Sequence, residues 1–343
     1  MKVNKMAMIL GVLLAGSLSM GQGRALAAEA PAAIAAAATG QPAASGAVSK
    51  ELPVAPVKTL VSYIPDVVYE QVPSRGYQNV AMQMDIMQPQ KKEKLPAIVF
   101  VTGGGFINAN RANGLQERMR LADEGYLVAS ITYRVAPTAK FPEPLEDVKA
   151  AIRYLRAHAD KFNIDKERIG IIGGSAGGYL SAMAGTTSGT KTFDKGENIQ
   201  ESSSVKCAVD LFGLSDLTCV GEDFSDKVKE QHKSAGATEA LWVNGSPVFG
   251  GRDGGILADP QAAEAANPIH YISSDSAPML LMHGSADTVV SPSQTNHLFQ
   301  ALRQKGIPAE RYIVSNAAHG GVYWVQDKVM DVIVDFFNTY LKK

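Results

Sequence analysis

The sequence predicts an α/β fold in which a mostly parallel sheet carries helices on both faces. Continuous apolar runs at 96–103, 126–135 and 168–175 are typical of strands that are buried on both sides. The segments between them, 114–125 and 142–162, carry apolar residues at helical spacing. Strands that alternate with helices in this way build βαβ units, and such units produce a parallel sheet.

The rest of the chain extends this alternation in both directions. Apolar and polar residues alternate at 66–72 and 82–89, which predicts a half-exposed hairpin before the core. Two long glycine-rich and polar segments, 188–205 and 214–268, do not fit the alternation and are predicted to be lid-like insertions. The remaining predictions are, in order, a helix from Ala176, a strand over 207–213, a strand over 278–285, a helix over 293–305, a strand over 310–316 and an amphipathic helix over 322–341.

The first residues have the pattern of an export segment. Two lysines precede an apolar run at 6–16, and an Ala-x-Ala pattern ends at Ala27. We therefore expect residues 1–27 to be a signal peptide and the mature protein to be periplasmic or secreted. An N-terminal membrane anchor is the alternative. An Ala/Pro-rich linker is predicted over 28–58 and a single folded domain over 59–343.

Composition and charge limit the partners. The 343 residues are 45% hydrophobic and 20% charged, and the net charge is −1 with no basic run. This argues against nucleic acid as a partner, and no stable membrane association is expected of the mature chain. The oligomeric state is left open. The only cysteines, Cys207 and Cys219, are compatible with a disulfide in an exported protein or with two free thiols.

One serine stands among glycines at the end of a predicted strand. Residues 173–177 read Gly-Gly-Ser-Ala-Gly, a G-x-S-x-G motif between the strand at 168–175 and the helix from Ala176. Glycines flank a nucleophile in such a sharp turn because larger side chains would collide with the neighbouring strand and helix. Ser175 is therefore the candidate nucleophile, and the alternative is an ordinary glycine-rich turn.

A serine nucleophile needs a base, and the base needs an orienting acid. His319 lies in a loop directly after a predicted strand, whereas His297 lies within a predicted helix, so His319 is the candidate base. Asp287, in the loop after the strand over 278–285, is the candidate acid. Two other carboxylates, Asp210 and Asp216, follow or lie in the preceding strand and compete with it. His283 is interpreted as a strand-end histidine that bonds to backbone.

The glycines at 103–105 predict a loop that can approach a substrate closely. They follow the first buried parallel strand, in the stretch VTGGGF. The backbone N–H groups of Gly104, Gly105 and Ala176 are the candidate donors of an oxyanion hole. A phosphate-binding loop is the alternative, but the stretch has neither a Walker lysine nor a G-x-G-x-x-G pattern.

Together these motifs resemble the α/β-hydrolase superfamily, in its carboxylesterase branch with the acetylxylan/feruloyl esterases and the hormone-sensitive-lipase-like esterases. The resemblance covers about residues 64–343 and rests on VFVTGGGF, IGIIGGSAGGYLSAM, NPIHYI, PMLLMHGSADTVVSPSQ and SNAAHG in this order. It implies an eight-stranded sheet, no cofactor and no metal, with Ser175, Asp287 and His319 as the triad. Lipase-like members carry H-G-G-G where this chain has Thr102, which favours the xylan-esterase-like group.

The expected function is that of an exported serine esterase acting on short-acyl esters, such as acetyl or feruloyl groups on plant polysaccharide. The first alternative is a peptidase or amidase that uses the same triad, and the second is a non-catalytic ligand-binding relative. Three aromatic residues of the irregular segment, Phe224, Trp242 and Phe249, are candidates for lining an acyl or sugar pocket or for covering the core.

Overall fold

The β-strands form the frame that carries the candidate site. The computed structural model describes residues 49–342, and the elements below belong to one unit, Ala55–Lys343. The predicted signal peptide and most of the predicted linker lie outside the described residues. Within those residues the chain forms eight strands: β1 (Val61–Ser74), β2 (Tyr77–Pro89), β3 (Leu95–Val101), β4 (Leu127–Ile131), β5 (Ile164–Gly174), β6 (Ala208–Leu211), β7 (Met279–Gly284) and β8 (Ala309–Val314).

Helices separate the parallel strands along the chain. The described residues form α1 (Leu115–Asp123), α2 (Glu143–Ala157), α3 (Ala176–Thr186), α4 (Asp226–Lys233), α5 (Thr238–Asn244), α6 (Pro260–Ala265), α7 (Ser293–Gln304) and α8 (Asp327–Leu341). The predicted insertion at 214–268 contains α4, α5 and α6, whereas the one at 188–205 has turns and bends only.

The strands make a single sheet in the order β1-β2-β4-β3-β5-β6-β7-β8. β2 pairs antiparallel with β1 and with β4, and every other pairing is parallel. The predicted eight-stranded, mostly parallel sheet is thus confirmed. Because parallel strands end at the same edge of a sheet, the loops after β3, β5, β7 and β8 come together there.

Both faces of the sheet are covered, as the continuous apolar runs require. Along β3, Val99 and Val101 pack in one core with α2, α3 and α7. The alternate residues Ile98 and Phe100 pack in a second core with α1 and α8. This period-two alternation fixes the register of the central strands, so the positions of their carboxyl ends are fixed as well.

Several predicted elements have wrong ends. The strand predicted over 126–135 ends at Ile131, the helix predicted over 142–162 ends at Ala157, and the two hairpin strands begin at 61 and 77. The strand predicted over 207–213 ends at Leu211, because Phe212 takes φ +44° and leaves the extended conformation. The last helix begins at Asp327 rather than at 322. A short 3₁₀ turn over Val322–Val325 comes first, and extended backbone at Gln326 (φ −72°, ψ 142°) separates it from α8.

Candidate active site

Ser175 lies in the sharp turn between β5 and α3. Its backbone has φ +57° and ψ −123°, a conformation that residues with a side chain rarely adopt. A Cβ atom on Gly177 would lie 2.0 Å from the carbonyl oxygen of Val101, and one on Gly173 would lie 2.3 Å from that of Gly177. Glycine is therefore required where the start of α3 crosses β3 and β5, and the crossing forces the serine outward.

His319 contacts both of the residues predicted to work with it. Its Nε2 lies 2.8 Å from Oγ of Ser175, and its Nδ1 lies 2.7 Å from Oδ2 of Asp287. The imidazole is slightly exposed, with 17% of its side-chain surface accessible, while the Asp287 side chain is fully buried. The loops after β5, β7 and β8 thus bring together three side chains that are up to 144 residues apart in the sequence.

The carboxylate of Asp287 is saturated with donors. Its Oδ1 accepts hydrogen bonds from the backbone N–H groups of Val289 at 2.8 Å and Val290 at 3.0 Å. Burial by itself raises the pKa of Asp287, but the hydrogen bonds from His283 and His319 outweigh it and hold that pKa well below its usual range. The group is therefore an anion at neutral pH, able to orient the imidazole and to stabilise it when it is protonated.

The residues that were alternatives for the acid and the base make polar contacts elsewhere in the structure. Asp210 is buried beneath α3, where its Oδ1 accepts from the N–H of Gly213 at 2.8 Å. Asp216 accepts from Nδ2 of Asn267 at 3.1 Å and belongs to the loop after β6. His297 lies on α7, with Nε2 3.2 Å from Oε2 of Glu222.

His283 contacts a carboxylate as well as the backbone group that the sequence predicts. It is fully buried, and its Nε2 lies 3.1 Å from the carbonyl oxygen of Val290, as that interpretation expects. The same nitrogen also lies 3.2 Å from Oδ2 of Asp287. The sequence held a signal for this contact, because a strand-end histidine four residues before a loop aspartate can fold back onto it.

The glycine loop after β3 lies beside Ser175. A Cβ on Gly103 would lie 2.6 Å from the carbonyl oxygen of Gly174, and Gly105 has φ +57°. The loop is held from below by Tyr133, whose hydroxyl donates to the carbonyl oxygen of Thr102 at 2.7 Å. Sequence reasoning missed this hydrogen bond.

Two of the three predicted oxyanion donors share a cavity with the serine, and the third follows it in the chain. Gly104 and Gly105 line the same cavity as Ser175. Ala176 is the first residue of α3, so its N–H has no acceptor within the helix. The three residues thus come from two separate segments, the loop after β3 and the start of α3.

A cavity of about 540 Å³ opens above the serine. Its walls are largely apolar, and a ring of Phe212 stands 4.8 Å from that of His319 and 4.5 Å from that of Trp324. Polar groups enter the lining through Asn113 and Glu117. The described residues that line the cavity include Phe100, Val101, Thr102, Gly103, Gly104, Gly105, Asn113, Gly114, Glu117, Gly174, Ser175, Leu211, Phe212, Val289, His319, Gly320, Gly321 and Trp324.

The three aromatic residues suggested by the sequence are not in this lining. Trp242 is fully buried against Phe106, with ring centroids 4.5 Å apart. Phe249 is exposed, and the guanidinium of Arg75 lies 3.8 Å above its ring. Trp242 therefore covers the core, which was one of the two alternatives. The aromatic residues that do line the cavity come from the ends of β3 and β6 and from the turn before α8.

Both cysteines are free thiols. Cys207 is fully buried in β6, and Cys219 is partly exposed in the loop that follows. The disulfide left open by the sequence is absent from the described residues. Over the same residues, 49–342, none of the helices has the length and apolar character needed to cross a bilayer.

The sheet order and the serine at the strand-to-helix turn define an α/β-hydrolase. The model of the BD-FAE family matches residues 84–302, more than half of the chain. The protein belongs to the BD-FAE family.

The relatives found by comparison carry the names of ester and amide hydrolases. Esterase LipC of Mycobacterium tuberculosis is 32% identical over 227 residues, which is 66% of this chain and 53% of LipC. A solved structure described as a truncated carbohydrate esterase from gut microbiota is 29% identical, with a TM-score of 0.70, and the match covers 84% of this chain and 99% of that one. Kynurenine formamidase of Meyerozyma guilliermondii is 28% identical over 246 residues, 71% of this chain and 85% of that enzyme. The chain spans about half the length of LipC and of two further mycobacterial relatives.

Proposed function

We propose that the protein is a carboxylic ester hydrolase that uses Ser175 as nucleophile, His319 as general base and Asp287 as the orienting acid. One observation carries the proposal. The Ser175 Oγ, the His319 imidazole and the Asp287 carboxylate form a continuous hydrogen-bonded chain, with contacts of 2.8 and 2.7 Å. Ser175 and His319 line the cavity, and Asp287 is buried behind them. Esterase names among the relatives agree with it.

The geometry supports a two-step reaction. Ser175 Oγ attacks the ester carbonyl carbon while its proton passes to Nε2 of His319, and the carbonyl oxygen becomes an oxyanion facing the N–H groups of Gly104, Gly105 and Ala176. The carbon–oxygen bond to the alcohol breaks, and the leaving alkoxide takes the proton from His319. Water then attacks the acyl-enzyme with the same histidine as base, which releases the acid and restores the serine.

The substrate we propose is a short-acyl ester of a carbohydrate, acetyl or feruloyl on plant polysaccharide. Two features support it. The cavity combines apolar walls from Phe212 and Trp324 with polar groups from Asn113 and Glu117, which suits an acyl group next to a hydroxyl-rich alcohol. One relative that the chain covers almost completely is described as a carbohydrate esterase.

Hydrolysis of p-nitrophenyl acetate, butyrate and octanoate by the purified protein tests the activity. We expect the acetate or butyrate ester to be hydrolysed fastest, and Ser175→Ala to lower kcat by about 10⁶-fold. The matched control is Ser202→Ala, an exposed serine outside the cavity. Absence of turnover with all three esters, together with no labelling of Ser175 by an organophosphorus probe, would favour the non-catalytic ligand-binding alternative. Measurement of acetate release from acetylated xylan then tests whether the substrate is a carbohydrate ester.

Amide hydrolysis is the second candidate. The formamidase relative, of which the chain covers 85%, favours it, since the same triad can cleave an activated amide. Formanilide and phenyl acetate, assayed side by side, separate the two functions. A kcat/KM for formanilide equal to or above that for phenyl acetate would replace the esterase proposal by an amidase one.

We propose further that the protein is exported and that residues 1–27 are removed. The support is the charge and apolar pattern of those residues, which lie outside the described structure. The mass of the protein recovered from the periplasm or medium of a bacterial host tests it. A mature chain that begins at Ala28 is expected, and recovery of the uncut chain from the membrane fraction would favour an anchor.

A further inference from the structure

Three metal-binding side chains meet at a point outside the active-site cavity. The Sγ of Cys219, a carboxylate oxygen of Glu222 and a ring nitrogen of His297 all lie within 4.8 Å of one another. The Glu222 Oε2 and His297 Nε2 atoms are 3.2 Å apart. Ligand atoms at tetrahedral zinc distances of about 2.0–2.3 Å stand about 3.3–3.8 Å apart, and a sulfur and a nitrogen or oxygen about 3.5 Å apart. Only the sulfur therefore has to approach, by about 1.3 Å at most.

The turn that carries two of these ligands is already fixed to the helix that carries the third. Gln294, fully buried near the start of α7, accepts from the N–H groups of Ser215 and Asp216, both at 2.9 Å. Its Nε2 donates to the carbonyl oxygen of Cys219 at 3.1 Å and lies 3.4 Å from the sulfur. His297 is one helical turn beyond Gln294 and lies on the same face of α7. The turn that carries Cys219 and Glu222 is therefore fixed against α7 by contacts that do not involve an ion.

We propose that Cys219, Glu222 and His297 bind a divalent transition-metal ion with zinc chemistry. Thiolate and imidazole ligands favour Zn²⁺ over Mg²⁺ or Ca²⁺, which prefer oxygen ligands only. Three protein ligands leave the fourth tetrahedral position to water. Glu222 is exposed and the other two ligands are partly exposed, so an ion and its water have access from solvent.

The neighbouring lysines limit the affinity of the site. Lys229 and Lys233 lie beside the same cleft as Cys219 and Glu222. Each is close to an acidic group on its own helix, Lys229 to Asp226 at 3.7 Å and Lys233 to Glu230 at 3.2 Å. Because these ion pairs are exposed, they only partly offset the repulsion between the lysine ammonium groups and a bound cation. We therefore expect reversible binding rather than a permanently loaded structural site.

A bound ion would strengthen contacts that reach the loop of Asp287. The carbonyl oxygen of Val220, within the ligand-bearing turn, accepts from the N–H of Ser291 at 3.0 Å, and Asp223 accepts from the N–H of Ser293 at 3.1 Å. Ser291 follows directly on Val290, whose N–H holds Asp287. The metal would thus join the loop after β6 to α7, which follows the acid-bearing loop, and it should stabilise the folded state by binding it preferentially.

Titration of the purified protein with Co²⁺ and Zn²⁺ tests the site without any use of the enzyme reaction. We expect Co²⁺ to produce a thiolate-to-cobalt charge-transfer band in the near ultraviolet, and Zn²⁺ to abolish the band by displacement. Cys219→Ser should eliminate the band. His297→Gln and Glu222→Gln should each weaken Zn²⁺ binding by about 100-fold or more, because even the loss of a residue that only supports a ligand costs 10–100-fold.

Two controls make the result decisive. His270→Gln removes an exposed histidine 3.9 Å from Glu264, a similar pair without a cysteine, and should leave the band and the affinity unchanged. Unfolding temperatures with and without Zn²⁺ report whether each variant is folded and whether the ion stabilises it. The absence of a band in the wild-type protein, or equal Zn²⁺ affinity in wild type, Cys219→Ser and His297→Gln, would overturn the proposal. Either result leaves the esterase proposal unaffected.

Discussion

The imidazole of His283 lies 3.2 Å from the Asp287 oxygen that also accepts from His319. Two histidines therefore share Oδ2, while Oδ1 binds two backbone N–H groups. His283 is itself held on its other side, where Nδ1 lies 3.1 Å from Oγ1 of Thr295. A contact to Oδ2 requires the proton of the neutral ring on Nε2, and Thr295 can then donate to Nδ1. The carboxylate thus has little freedom to rotate away from His319.

We predict that His283→Ala lowers kcat by about 10- to 100-fold with little change in KM. A hydrogen bond to a charged group is worth about 1.5–3 kcal/mol, and here its loss would affect the orientation of the catalytic base rather than substrate binding. His283→Gln, which can still donate an N–H, should recover part of kcat. His270→Gln is the matched control on an exposed histidine. An unchanged kcat and pH profile in a folded His283→Ala variant would show that His283 contributes only to packing.

We predict that Ser175→Gly is more stable than Ser175→Ala by about 1 kcal/mol. The backbone at Ser175 has φ +57° and ψ −123°, which glycine adopts without the steric cost that any Cβ incurs. Both variants lack the nucleophile, so the comparison isolates backbone strain. Urea unfolding followed by circular dichroism measures it. Equal midpoints and slopes for the two variants would mean that the turn is unstrained.

Much of the fold could be predicted from the sequence because its signals are local. The apolar runs of β3 and β5 and the helical spacing in α2 each determine one element within its own segment. Of the incorrect ends, the one at Phe212 depends on a backbone conformation that occurs together with tertiary packing of its ring. Phe212, for example, packs its ring against His319 and Trp324, two residues more than 100 positions away.

In the candidate site, too, some residues could be predicted from the sequence and others could not. Ser175, Asp287 and His319 could be proposed because each follows a strand, and the ends of parallel strands meet. For His283 the four-residue spacing to Asp287 allows their contact but does not require it. The hydrogen bond of Tyr133 could not be proposed, since it depends on which loop folds over which side chain. The same holds for Cys219, Glu222 and His297. Two of them are three residues apart and the third is 75 residues further on, so tertiary contacts such as those of Gln294 with the turn bring them together.

We predict that Tyr133→Phe lowers kcat by about 10-fold and leaves the structure folded. The lost hydroxyl holds the carbonyl oxygen of Thr102, directly before the glycines proposed as oxyanion donors. A net hydrogen bond of about 1–1.5 kcal/mol corresponds to a factor of about 10. Steady-state kinetics with p-nitrophenyl acetate measure the effect. Tyr323→Phe, a change on a partly exposed tyrosine outside the cavity lining, is the control. A fall in stability without any change in kcat would show that Tyr133 supports the core and not the loop.

The buried carboxyl of Asp210 makes the stability of the protein depend on pH. Burial raises the pKa of Asp210 to about 7, against one opposing hydrogen bond from the N–H of Gly213. Its Oδ2 is buried and has no hydrogen-bond partner among the described residues. In the unfolded chain the group has a pKa of about 4. Between these two values the folded state holds a proton that the unfolded state has lost, so the free energy of unfolding falls as pH rises from about 4 to about 7.

We predict that Asp210→Asn removes this dependence. Relative to wild type, the variant should gain about 4 kcal/mol of unfolding free energy between pH 4 and pH 8, because three pKa units at about 1.4 kcal/mol each are no longer lost. Near pH 4, where the wild-type carboxyl is neutral in the folded state and about half ionised in the unfolded state, the two proteins should differ little. Urea unfolding at pH 4, 6 and 8 measures the difference, with Asp253→Asn on an exposed loop as control. If the free energies of unfolding of the two proteins differed by a constant amount across this range, Asp210 would ionise normally. The buried charge beneath α3 would then need a partner besides the N–H of Gly213.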